Sequence, residues 1–313
     1  MGNNGLRSKL KKNSFLRRRI KGIKNYKEFF GDARDFNRYY LEKAEKRGDS
    51  RYRLMLLVHN IEKGLCSNDP RPFGEEKVRQ IVGILRDNPE KKDEFEYALA
   101  ASSLKSWKAF HIKKGFVLPE DLADYIDKLE DNGGAGSELF ETNDKLLGRR
   151  SVRDFEEREL RNEDVDFALR YFNSAPTACN RQMCRVYRVK SAEAKELLID
   201  RVLGISGFNT DAVTFFLITF DISAFDYSGE RNQGYLNAGL TAMNFVNGLH
   251  KKGIGSCFLQ WSNKRGDDKL VRSALGLKKS ERIAVVIGAG YYKDNVKIPK
   301  SSRKNKGMIY KEI

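Results

Sequence analysis

A chain of 313 residues with 40% hydrophobic content is long enough to bury one sizeable core and a smaller second one, and its formal charge of +16 favours anionic partners without bearing on the fold. Four cysteines, Cys66, Cys179, Cys184 and Cys257, show no C-x-x-C pair and no repeated ligand spacing, which argues against a zinc site or a disulfide framework and suits a reducing compartment. No apolar run reaches membrane-spanning length, and the charged first twenty residues lack the apolar segment and cleavage site of a secretory signal, so a cytoplasmic protein, soluble or peripherally membrane-bound, is expected.

Residues 1–30 form a basic arm in which Phe15, Leu16, Ile20, Ile23 and Tyr26 alternate with Arg17, Arg18, Arg19, Lys21 and Lys24. The pattern reads either as an amphipathic segment for anionic lipid or nucleic acid or as a solvated leader. Residues 31–137 read as a helical N-terminal domain. Over 51–64, Leu54, Leu57, Val58 and Ile61 recur on one helical face. His59 and Glu62 stand three apart on this segment; two candidate ligands without a third favour a helix-surface hydrogen bond over a metal site. Further helices are expected at 75–85, 90–114 and 119–130, the last opening on Pro119 and acidic residues. The glycine-rich stretch 131–137 then reads as a linker, with the domain boundary at 137/138.

In the C-terminal part, 138–313, a helix is expected over 162–172 and ends before Pro176; a strand follows at 185–189, and Ser191 opens the next helix. The run 212–220, AVTFFLITF, reads as a strand buried on both faces. Residues 233–251 form a long helix with Gly234, Ala238, Gly239 and Ala242 along one side, either a subunit interface or a face that packs on the sheet. A strand at 255–261, a short helix ending near Leu275 and a final buried strand at 283–290 complete an alternation that argues for a sheet covered by helices.

Two polar clusters flank the helix at 162–172. LGRRSVRDF carries Arg149, Arg150, Ser151 and Arg153, and SAPTACNRQ carries Thr177, Asn180 and Gln182; together they suit a planar, phosphorylated ligand. In this order and separation they resemble the FMN-dependent nitroreductase family, whose pattern is R-x-S-x-R/K, a short helix, then S/A-P-S/T-x-x-N-x-Q. GLHKKGIGSCFLQW (248–261) is similar to the family's helix-to-strand segment, ERIAVVIGAGY (281–291) to its last core strand, and the tail around Arg303 to the place where a basic residue returns to the flavin phosphate. The resemblance covers about the last 170 residues. The N-terminal part, with HNIEKGL and RPFG, looks like an extension on a subset of such proteins.

The resemblance implies an α+β, three-layer fold with a central mixed sheet flanked by helices, FMN as cofactor and a homodimer with FMN at its interface. It assigns Arg149, Ser151 and Arg303 to the phosphate, Arg153 to the pyrimidine edge, and Asn180 and Gln182 with Thr177 to the ring edge or ribityl chain. Main-chain groups of Leu259 and Gln260 are assigned to the reactive ring edge, with no catalytic side chain and no metal. Plainer roles stand beside these: Arg150 as a solvated charge, Arg153 as a partner of Asp154 or Glu157, Thr177 as a turn cap. Met183-Cys184 follows Gln182 where the family often has Pro-Trp, which alters the substrate side. The activity implied is hydride transfer from NADH or NADPH through FMN to an electron-poor organic acceptor. The alternatives are a non-catalytic protein of the same fold that uses its basic region on an acidic partner or membrane surface, and, on charge alone, nucleic-acid binding.

Overall fold

The computed structural model describes residues 14–44, 50–66, 71–130, 146–226, 228–299 and 301–313; the expected linker at 131–137 lies outside the described residues. Among the described residues five helices come first, α1 (Ser14–Ala44), α2 (Ser50–Leu65), α3 (Glu75–Arg86), α4 (Phe95–Lys113) and α5 (Glu120–Asp127). The apolar stripes of α2 to α5 meet in one core built from Leu54, Leu57, Val58, Ile61, Val78, Ile81, Leu104, Trp107, Leu122 and Ile126. The helix expected from residue 90 begins five residues later, because Pro89–Lys91 forms a separate 3-10 turn.

The C-terminal end of α2 is fixed tightly against α4. A side chain at Gly64 would sit 2.1 Å from the ring of Phe73, so only glycine lets the two approach. Phe73 in turn is pinned by both its main-chain groups. Its carbonyl accepts from Trp107 Nε1 at 2.7 Å, and its N–H donates to His111 Nε2 at 3.3 Å, which leaves the His111 proton on Nδ1, facing the Trp107 carbonyl at 2.9 Å.

The remaining elements are α6 (Asn162–Ser174), β1 (Cys184–Arg188), α7 (Ala192–Ile199), β2 (Thr214–Asp221), α8 (Gln233–Lys251), β3 (Ile254–Leu259), α9 (Arg265–Ala274), β4 (Glu281–Tyr291) and α10 (Lys306–Ile309). Ser191 caps α7 by accepting the Ala194 N–H at 3.1 Å. The strands form one sheet in the order β1-β2-β4-β3, and all three pairings are antiparallel. The sheet expected to be mixed is thus antiparallel in all its strand pairings; its one parallel contact is an isolated bridge, Ser151 to Ser256, on the outer edge of β3.

Both faces of the sheet are covered. Phe216, Ile218 and Phe220 of β2 point to the side of α6 and α8, and Phe215 and Leu217 to the side of α7 and α9. This two-sided burial is why 212–220 reads as an unbroken apolar run although its neighbours are antiparallel. The result is an α+β fold of helix, sheet and helix layers beside a helical N-terminal part.

Gly234, Ala238 and Ala242 of α8 are packed inward, whereas Gly239, expected on the same side, lies on the exposed face with nothing within 4 Å of a Cβ there. A Cβ on Gly234 would lie 2.1 Å from the Phe220 ring, Ala238 and Ala242 are fully buried, and a Cβ on Gly248 would lie 2.7 Å from the Ala168 Cα of α6. The outer side of α8 instead exposes Tyr235, Leu236, Leu240 and Met243. Among the described residues no helix is long and apolar enough to cross a membrane.

Candidate functional site

The first polar cluster is held on the edge of β3. The N–H of Val152 donates to the Ser256 carbonyl at 3.0 Å, and Val152 itself is fully buried, so the flanking residues 149–153 are threaded along the strand. Gly255 admits this close approach; a Cβ there would meet the Val152 side chain at 3.0 Å. A second lock follows at Phe155, buried against Gly290.

Held in this way, Arg149 and Arg153 carry buried donors that meet no acceptor among the described residues: Arg149 Nη1, Arg153 Nε and Arg153 Nη1 have no hydrogen-bond partner there, nor does the buried hydroxyl of Ser256. Buried guanidinium nitrogens are costly unless an acceptor meets them, so the chemistry of this donor set suits an anion or a carbonyl-rich ligand. Burial weakens the hold of Arg149 on its proton, Cys257 and Tyr292 oppose that effect, and the charge of Arg303 adds to it. Arg153 forms no ion pair among the described residues; Asp154 instead faces Lys293 at 3.5 Å. Arg150 is satisfied by the carbonyls of Leu147 and Arg149 at 2.9 and 2.8 Å, in keeping with a structural role.

The tail returns to this cluster. Lys304 pairs with the buried carboxylate of Glu96 on α4 at 2.5 Å, Ser302 is buried, and Arg303 between them bonds the Ser301 carbonyl at 2.5 Å. The charge of Arg303 depresses both Arg149 and Arg150, after burial in each case, so the three guanidinium groups share one neighbourhood.

The second cluster is elsewhere. Thr177 Oγ1 accepts the Gln182 N–H at 3.0 Å, and Gln182 Nε2 donates to Asn180 Oδ1 at 3.2 Å. Cys179, Asn180 and Gln182 all have positive φ, near 50°, a strained loop of the kind that collects at functional positions. Thr177 makes no side-chain cap on the 3-10 turn at Ala178–Asn180; its hydroxyl closes the wider loop onto Gln182 instead. The loop is anchored by the Ala178 N–H on Asn237 Oδ1 at 2.8 Å, in the second turn of α8.

Two rulers measure the separation of the clusters. Along α8, Asn237 anchors the second, while His250, bonded to Tyr292 at 3.1 Å, marks the first; thirteen residues of helix span about 20 Å. Across the sheet, Cys184 pairs with Phe220, whereas Ser256 pairs with Ala289 and Ala289 with Thr214, which places the clusters six residues apart along β2, again about 20 Å. The fold thus leaves the two clusters of one chain at opposite ends of the sheet.

The edge of β3 also decides which main-chain groups are free. Both main-chain groups of Gln260 are engaged by Leu203, at 3.2 and 3.1 Å, and its side chain bonds Ser262. Leu259 is buried and pairs inward with Val286. Alternation sends the main-chain groups of Ser256, Phe258 and Gln260 outward, and between the two engaged neighbours the Phe258 N–H has no acceptor among the described residues. Phe258 is the position that sequence reasoning missed; only strand parity reveals it.

The site thus combines an α+β sheet, buried arginines with unpaired donors on one edge and a strained polar loop at the far end. The family model "Nitroreductase family" matches residues 146–209 and 206–291, within the C-terminal part of the chain. Among curated proteins none matches the chain. Similar solved structures include a nitroreductase-like protein of Desulfovibrio desulfuricans in complex with FMN, 20% identical, covering 54% of this chain and 94% of that one with a TM-score of 0.46. Others are an FMN-dependent nitroreductase of Clostridium difficile R20291, at 22% identity, 53% and 92% coverage and a TM-score of 0.41, and a nitroreductase family protein of Clostridium difficile 630, at 18%, 53% and 95%, and 0.45.

Proposed function

We propose that the chain is an FMN-dependent oxidoreductase that draws on NADH or NADPH and reduces an electron-poor organic acceptor. The observation that carries this reading is the set of buried, unpaired guanidinium donors of Arg149 and Arg153, inside the segment that matches the family and beside Arg303. These donors fit FMN: a phosphate accepts charge-assisted hydrogen bonds, and the flavin ring offers carbonyl and nitrogen acceptors. Arg149, Ser151 and Arg303 hold the phosphate. Arg153 keeps a positive charge at the pyrimidine edge, where negative charge develops on reduction, and the free Phe258 N–H offers a main-chain donor on the open edge of β3. Bound FMN supplies a two-electron carrier between a nicotinamide and the acceptor.

The working unit in this proposal is a homodimer. With the two clusters about 20 Å apart in one chain, a single flavin that uses both draws Thr177, Asn180 and Gln182 from a second copy. The exposed Leu236, Leu240 and Met243, at i, i+4 and i+7 on α8, supply an apolar stripe for that contact. In the same reading, residues 138–313 are the FMN-binding domain, 31–137 a helical domain, and 1–30 a basic arm in a cytoplasmic protein. A peripheral membrane role for the arm is favoured by Ile23, Tyr26, Phe29 and Phe30, all exposed on α1 among basic residues.

The test is the visible absorption spectrum of purified protein, before and after FMN addition and desalting, followed by anaerobic NADH or NADPH. Stoichiometric flavin that bleaches with one nicotinamide is expected. Folded protein that retains no flavin sinks the reading and favours a non-catalytic binding protein.

A further inference from the structure

The exposed apolar side chains of α1 share one side of that helix. With Tyr26 as reference and about 100° per residue, Gly22, Ile23, Phe29, Phe30 and Ala33 fall within roughly 60° of it. Ile23, Tyr26 and Phe30 are 68%, 78% and 72% exposed, and a Cβ on Gly22 would meet nothing within 4 Å, so among the described residues this side of α1 is uncovered.

The opposite side is taken. Glu28 and Asp32 stand roughly 120–160° away from Tyr26. Arg231, in the turn before α8, donates from Nε and Nη2 to the two carboxylate oxygens of Asp32 at 2.6 and 2.8 Å, and its Nη1 faces Glu28 at 3.7 Å. A two-pronged guanidinium–carboxylate pair fixes direction as well as distance, so α1 is held to the C-terminal part by its acidic side with the apolar stripe turned outwards. Glu230, next to this clamp, pairs with Arg181 at 2.8 Å, and Arg181 sits between Asn180 and Gln182. The clamp therefore lies at the end of the sheet that carries the polar loop.

Cations border the stripe. Arg18 and Lys27 lie on its two flanks and Arg19 towards its N-terminal end, and the sequence of residues 1–13 adds Arg7, Lys9, Lys11 and Lys12. This combination selects the occupant. Aromatic and aliphatic side chains bordered by lysine and arginine suit the boundary between lipid headgroups and acyl chains, where the rings enter and the long cationic stems reach back to phosphates. A nucleic acid offers charge but no apolar interior to take Ile23 and Phe30, and a second copy of the chain brings the same excess of cations to the contact.

We propose that α1 is a membrane-docking helix whose outward face enters the headgroup region of a bilayer containing anionic phospholipid, and that the Arg231 clamp turns the 177–182 end of the C-terminal part towards that bilayer. The inference rests on the peripheral membrane role proposed above, assigns it to one face of α1 rather than to the charge of the arm, and needs no flavin.

Full-length protein is titrated with vesicles of phosphatidylcholine alone and of phosphatidylcholine mixed with phosphatidylglycerol, binding is read by co-sedimentation, and amide hydrogen exchange is followed with and without the mixed vesicles. The wild type should bind the mixed vesicles at least about tenfold more tightly than the neutral ones, with exchange slowed over 22–34 and 228–232. The double variant Ile23→Ser, Phe30→Ser keeps every charge and should bind mixed vesicles at least about tenfold more weakly with circular dichroism unchanged. Arg231→Ala should keep vesicle affinity and the slowing over 22–34 but lose the slowing over 228–232. Equal binding of the wild type to the two vesicle types overturns both the proposal and the membrane role of the arm. Mixed-vesicle binding that survives the double substitution leaves the charge of the arm as the binder and overturns the assignment to the α1 face. A double variant that turns a lipid-free dimer into a monomer also overturns it, because a second copy then covers the stripe. Slowing over 228–232 that persists in Arg231→Ala overturns the orienting clamp.

Discussion

The N–H of Val152 donates to the carbonyl of Ser256 at 3.0 Å, and this one hydrogen bond ties the arginine-rich segment to the edge of β3. Because Val152 is buried, the side chains that flank it have no freedom to seek carboxylates elsewhere, and the donors of Arg149 and Arg153 stay unpaired.

Replacing Arg149 with alanine should weaken FMN binding about 10- to 100-fold, the loss of a charge-assisted hydrogen bond, with circular dichroism unchanged. Arg150→Ala should stay within a few-fold of wild type, because Arg150 spends its donors on the Leu147 and Arg149 carbonyls. Equal effects of the two changes would contradict the site assignment.

The exposed stripe of α8 gives a test of assembly. Leu240→Arg should convert a dimer to a monomer in sedimentation velocity and lower FMN occupancy with it, while the melting temperature of the separated chain barely moves, since Leu240 is 42% exposed. A monomeric wild type that binds FMN fully would remove the need for a second copy.

Two glycines on the same helix should behave oppositely. Gly234→Ala puts a methyl group 2.1 Å from the Phe220 ring and should destabilise by about 1–3 kcal/mol. Gly239→Ala meets nothing within 4 Å and should stabilise by about 1 kcal/mol through helix propensity. Urea denaturation of both variants reads the difference.

Glu281 and Tyr187 set limits on stability at both ends of the pH scale. Burial pushes the Glu281 carboxyl up, but bonds from the Lys278 N–H at 2.9 Å, Tyr187 at 2.8 Å and Thr219 at 3.2 Å, with the charge of Arg185, bring it below its ordinary value. Its contribution is therefore full above about pH 4.5, the ordinary glutamate value, and is lost as pH falls through the lowered one. Burial and the Glu281 carboxylate push Tyr187 from 10.0 up to about 12, so its contribution is full below pH 10 and is lost as pH rises through about 12. Tyr187→Phe should flatten the alkaline limb of a stability profile followed by denaturation, and Glu281→Gln the acid limb.

Much of the local structure was legible in the residues. Helix 233–251 and the two-faced burial of 212–220 were readable from the apolar pattern, and Arg303 of the tail does return to Arg149 and Arg150. Thr177, Asn180 and Gln182 also form one hydrogen-bonded loop. What the pattern left open was direction: the small side of α8 looked equally suited to a partner or to the sheet, and only the Phe220 ring beneath Gly234 settles it.

The sequence by itself determined the elements, their apolar faces and the order of the two polar motifs, because helical and strand periods are properties of the local chain. Tertiary structure decided the rest. Strand order put the motifs about 20 Å apart, edge parity engaged Gln260 and left the Phe258 N–H open, and packing of α2 on α4 brought Lys63 beside Arg153. Each of these depends on which distant segments meet, and no spacing within a segment encodes that.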